Sequence, residues 1–135
     1  MSEESEGFDK GREIFTEEAN ELLAELEISL LELEETPTDE ELIGRVFRAM
    51  HTIKGSGAMF GFDDIAHFTH EVETAFDMVR TGKMLVTKEL MDLTLRARDQ
   101  IRAMLDGTAV DEAVSNEIIT SLRVLMVGSV VEEEE

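Results

Sequence analysis

The chain has 135 residues and no cysteine, with 12 Lys and Arg against 32 Asp and Glu for a net charge of −20. Disulfides and thiolate metal sites are excluded, and so strong a negative field repels nucleic acid and anionic lipid. No apolar run approaches the roughly 20 residues a membrane helix needs, and the polar start Met1-Ser2-Glu3-Glu4 is unlike a signal peptide, so a cytoplasmic chain without membrane insertion is expected.

Apolar residues make up 42%, with phenylalanine as the sole aromatic type, which suits one domain with its own core. Every periodic segment has helical spacing, and none alternates with period two. The first, from about Asp9 to Glu34, steps through Phe15, Ala19, Leu22, Leu26, Leu30 and Leu33. Pro37 closes it. Thr38 followed by Glu41 predicts a capping box for a second helix, with Ile43, Val46, Met50, Ile53 and Gly57 inward. Asp63 or Asp64 can cap a third, bearing Ile65, Phe68, Val72, Phe76 and Val79, and Gly82 stops it. Thr87 can cap a fourth, with Leu90, Leu93, Ala97, Ile101 and Leu105, ended by Gly107. Asp111 opens a fifth, shorter helix with Val114, Ile118, Leu122 and Leu125 before Gly128. The expected fold is all-α: an up-down antiparallel four-helix bundle, with the fifth helix over an end or flank. The expected domain covers 8–127, and 128–135 reads as an acidic tail or the start of a linker.

The run His51-Thr52-Ile53-Lys54-Gly55-Ser56-Gly57 carries the chemistry. At about 100° per residue, His51 lies roughly 120° from the centre of its helix's apolar stripe, so its ring should face water. Glycine costs a helix interior about 1 kcal/mol relative to alanine. Gly55 and Gly57 can therefore serve close helix packing or the coming turn, or Gly55 can clear a surface beside the ring for a partner. In an antiparallel hairpin His51 lies level with His70 and Glu73 of the third helix. A carboxylate there can accept a hydrogen bond from Nδ1–H and leave the Nε2 lone pair free as a nucleophile. Lys54 can offset the charge of a phosphorylated ring. Other uses fit less well. A metal site from His67, His70 and a carboxylate lacks the zinc-protease spacing. A hydrolase triad lacks a nucleophile elbow, and Ser56 is too near His51 in sequence. His67 reads as a plain surface residue.

These residues resemble the histidine phosphotransfer (HPt) signature. Phe47-Arg48-Ala49-Met50-His51, Met59-Phe60-Gly61-Phe62, His70-Glu71-Val72-Glu73 and Ile14-Phe15-Thr16-Glu17-Glu18-Ala19-Asn20-Glu21-Leu22-Leu23 extend the likeness, and are similar to the N-terminal phosphotransfer domain of CheA-type chemotaxis histidine kinases. The resemblance implies that His51 is the phosphorylated residue, Glu73 orients its ring, Lys54 and His70 flank the phosphoryl group, and Gly55 keeps the approach open. It also implies a kinase ATP-binding domain as donor and a response-regulator receiver domain of CheY or CheB type as acceptor. ATP and magnesium then belong to those partners, with no metal or cofactor held here. Such a module is not an enzyme alone; its parent is an ATP-dependent histidine kinase, whose other domains do not fit in this length. A helical adaptor that binds a partner helix is the alternative, and it has no need of His51. Phe47, Met59 and Phe60 are candidates for a docking patch or for core, with core favoured for Phe60.

Overall fold

The computed structural model describes the backbone of residues 3–108 and 110–134 and the side chains of 7–108 and 110–129. It contains α1 (Glu3–Glu35), α2 (Glu40–Met59), α3 (Asp63–Arg80), α4 (Lys88–Leu105) and α5 (Glu112–Glu134), with no strand among the described residues. Helix α1 packs on α2 and α4, and α3 packs on α2 and α4, which closes a four-membered bundle. Helix α5 lies along α3 and α4, so it covers a flank. No helix is long and apolar enough to cross a membrane among the described residues.

The predicted stripes of α2, α3 and α4 form the core; on α5 only Ile118 and Leu122 are buried, with Val114 and Leu125 half-buried, and α1 shows one shift. Leu23 is fully buried there, and Leu22 is only half-buried. The buried positions Ala19, Leu23, Leu26, Leu30 and Leu33 alternate steps of four and three. That four-three alternation is the narrow seam expected of a bundle helix, and Leu22 falls on its shoulder.

Helix α1 begins at Glu3, well before the expected start near Asp9, and the helix ends differ from expectation in three further places. Asp39, not Thr38, caps α2: its Oδ1 accepts from the N–H groups of Glu41 at 3.0 Å and Leu42 at 3.2 Å. A carboxylate is a stronger acceptor than a hydroxyl and also meets the positive end of the helix dipole. Asp39→Ala should lower stability by about 1 kcal/mol in urea unfolding, the usual cost of a lost cap. Helix α3 has no side-chain cap, and Asp63 and Asp64 sit inside its first turn. The chain turns into it through the backbone, where Phe62 N–H donates to the Gly57 carbonyl at 2.8 Å. Lastly, α5 runs through Gly128 to Glu134, and its 23 residues exceed the 18 each of α3 and α4. Gly82 and Gly107 do end their helices, in the left-handed conformation at φ +79 and +72. Gly128 has no positive φ, so it weakens α5 without breaking it. The expected tail over 128–135 is helical to Glu134, while Glu135 and the side chains from Val130 onward lie outside the described residues.

Thr87 and Asp111 act as expected, accepting from Leu90 N–H at 3.1 Å and Ala113 N–H at 2.9 Å. The short turn between α2 and α3 fixes how these two helices lie side by side, and that register builds the site.

Candidate functional site

His51 stands on the outer side of α2 with its side chain 62% exposed. Across the helix pair, Glu73 is held on α3 between the fully buried Val72 and Phe76, with only 10% of its own side chain exposed. The His51 Nδ1 lies 2.9 Å from Glu73 Oε1. Lys54, nearly one turn beyond His51, brings Nζ to 2.8 Å from Oε2 of the same carboxylate. That second approach is an ion pair rather than an aligned hydrogen bond, because Oε2 has no partner at hydrogen-bonding angle.

One half-hidden carboxylate thus joins an imidazole and an ammonium. Burial alone would push the Glu73 carboxyl up, but the close Lys54 ammonium and the His51 hydrogen bond together outweigh it and hold the group below its ordinary range. Glu73 is therefore ionised near neutrality and can only accept. The proton of the neutral imidazole is assigned to Nδ1 on that basis, and Nε2 keeps its lone pair on the exposed side.

The surroundings leave that side open. A Cβ added at exposed Gly55 would meet nothing within 4 Å, and Ala58 and Met59 continue the exposed strip. Gly57, by contrast, packs inward, where a Cβ would come to 3.4 Å from the Phe15 ring. Gly57 thus takes the close-packing use that the spacing left open, while Gly55 lies on open surface. Met59 is exposed, while Phe47 and Phe60 are half-buried against the core.

His70 is exposed on α3, and no hydrogen bond or ion pair links it to His51, Lys54 or Glu73 among the described residues. With His67, Arg12 and Glu71 it lines a broad cleft toward α4 and α5, and His51 is not among the lining residues. Among the described residues no three His, Asp or Glu side chains converge in a metal-binding arrangement.

Phe47 has a second aspect that the sequence left unread. Its ring stacks beside that of His51, with centroids 6.0 Å apart and planes 17° from parallel. The Arg80 guanidinium lies over the Phe47 ring, 4.3 Å from its centroid. The spacing of Phe47 and His51, four residues apart on one helix, signals the first contact. Nothing local signals the second.

Fold and site together define a class: a helical bundle that carries on its outer face an exposed imidazole held at Nδ1 by a carboxylate. Residues 11–110 match the family model described as Hpt domain, and the chain belongs to that family. It is 40% identical over 121 residues to the chemotaxis protein CheA of Rhizobium meliloti, covering 87% of this chain but only 16% of that protein. Among solved structures it resembles the CheA phosphotransferase domain from Thermotoga maritima, with 38% identity and a TM-score of 0.69 over 71% of this chain and 91% of that one. The phosphorylated P1 domain of CheA3, solved in complex with CheY6 from R. sphaeroides, gives 25% identity and a TM-score of 0.80 over 90% and 98% of the two chains.

Proposed function

We propose that this chain is the phosphotransfer module of a chemotaxis signalling system, with His51 as its phosphoryl acceptor and donor. The observation that carries this is the bond from His51 Nδ1–H to the ionised Glu73 on an otherwise exposed ring. In the first step the Nε2 lone pair bonds to the γ-phosphorus of ATP held by a kinase domain. The bond to the β–γ bridging oxygen breaks, and ADP leaves with its electron pair. The Nδ1 proton stays on Glu73's hydrogen bond, so the ring becomes cationic beside a carboxylate that stabilises it. In the second step an aspartate oxygen of a receiver domain attacks the phosphorus, and the P–Nε2 electrons return to the ring.

Lys54 and His70 flank the phosphoryl group. Lys54 is already in the cluster, and His70 shares the Glu73 side of α3 one turn away. The ATP-binding domain, the receiver and the magnesium for the second step belong to partners; the module alone is not an enzyme, and its parent is an ATP-dependent histidine kinase of the cytoplasm. The complex of the R. sphaeroides relative with CheY6 supports a receiver of CheY type. An adaptor that only gripped a helix would have no use for a carboxylate held at Nδ1.

The test is a relay. The domain, labelled by a CheA kinase fragment and ATP, is mixed with a CheY-type receiver and magnesium. Label is expected to pass to the receiver within seconds to minutes; label that stays put across a panel of such receivers refutes the donor half of the proposal.

Gly55 gives an independent check. Gly55→Ala should stabilise the domain by up to about 1 kcal/mol, since it improves helix propensity in open space. Gly55→Trp should keep the fold but slow transfer to the receiver, measured at subsaturating receiver concentration. Normal transfer by the Trp variant would remove Gly55 from the docking face.

A further inference from the structure

We infer that Phe47, covered by Arg80, is a positioning residue for His51: it sets the plane of the imidazole, while Glu73 holds one edge. This deepens the phosphotransfer proposal and rests on it.

With 62% of its side chain exposed, His51 has few neighbours to restrain it. The bond to Glu73 fixes Nδ1, but hydrogen bonds tolerate angular departures of tens of degrees before weakening steeply. A ring held at one edge can therefore rock, and the Nε2 lone pair rocks with it. The nearly parallel Phe47 ring, offset at 6.0 Å, lies within the range of favourable aromatic pairs and opposes that motion. Phe47 is itself fixed, because its body packs on the core and the Arg80 guanidinium covers its ring. Arg80 is in turn tied to Asp77, one turn back on α3. The chain of contacts Asp77–Arg80–Phe47–His51 crosses from α3 to α2 and reaches the imidazole independently of Glu73. Positioning a nucleophile within a few tenths of an ångström is a large lever on rate.

The test uses the whole chain and potassium phosphoramidate, a small donor that needs no docking. Nε2 attacks its phosphorus, the P–N bond breaks, and ammonia departs. Phe47→Leu keeps apolar bulk without a flat face; it should react about 3- to 10-fold more slowly and yield some product at Nδ1, whereas Phe47→Tyr should stay within about twofold of wild type. Imidazole ¹⁵N and ¹H NMR provides a second readout. Arg80→Gln, a change at a half-exposed side chain, should alter the His51 ring-proton shifts while Phe47 is still present. A folded Phe47→Leu that reacts at the wild-type rate and only at Nε2 overturns the inference. If that variant does not fold, Arg80→Gln decides: unchanged His51 ring signals overturn the role and shifted ones uphold it. Wild type that takes no phosphate at His51 sinks the phosphotransfer proposal instead, and the ring signals still judge the positioning.

Discussion

His51→Gln should take up no phosphoryl group from ATP and a CheA kinase fragment, under conditions that label the wild type fully. Glutamine is chosen because it removes the nucleophile with little change of shape. Its amide nitrogen can still donate to Glu73, but its lone pair is delocalised and does not attack phosphorus. The wild-type label should be acid-labile and alkali-stable, as a phosphorus–nitrogen bond on imidazole requires. Stability should change by no more than about 1 kcal/mol, the net worth of one hydrogen bond at a largely exposed side chain. The other two histidines sharpen the result. His67 and His70 are both exposed, so mere accessibility would let them accept label as readily. Neither has a carboxylate hydrogen-bonded to its ring among the described residues. Labelling of the variant at the wild-type level would mean that another side chain is the acceptor, and the role of the His51–Glu73 pair would fall with it.

That pair was legible in the sequence for a specific reason. The turn at Gly61 is short, so chain length sets the register of α2 against α3 to within a turn, and His51 and Glu73, at comparable distances on either side, come level. The stripes of α2, α3 and α4 were legible because burial there follows one helical period without interruption. What escaped the sequence depends on competition between near equals. Thr38 and Asp39 are both good caps, and charge decides between them. Leu22 and Leu23 are adjacent leucines, and only the packing of α1 against its neighbours chooses which is buried. Gly128 could end α5 or sit within it, and only the backbone angle distinguishes these. Arg80 above Phe47 is a tertiary contact between a helix end and a helix middle, and no local pattern encodes it. His70 shows the opposite limit. A spacing that places it on the Glu73 side of α3 does not decide where a flexible, exposed ring turns.

Glu73→Ala should slow phosphorylation by about 10- to 100-fold while the domain stays folded. A neutral imidazole without a partner shares its proton between both nitrogens. The reactive tautomer is then less populated, and the ring loses its main restraint. The fold survives because Lys54, with 28% of its side chain exposed, can turn its ammonium to water when the carboxylate is gone. Glu73→Gln separates charge from contact. Its carbonyl can still accept from Nδ1–H, but it cannot offset the positive ring that forms as Nε2 gains phosphorus, so its rate should fall between wild type and Ala. Acid unfolding gives a measure that needs no kinase. The Glu73 carboxyl is held below its ordinary range by Lys54 and His51 against the opposing effect of burial. Its contribution to stability is therefore fully present above the unfolded-state value of about 4.3, and it is lost as pH falls through the lower folded-state value. The stability gap between wild type and Glu73→Gln should shrink as pH falls below about 4, the other carboxylates cancelling in the difference. A gap that stayed constant into strong acid, together with an unimpaired Glu73→Ala rate, would show that the carboxylate does not hold the ring.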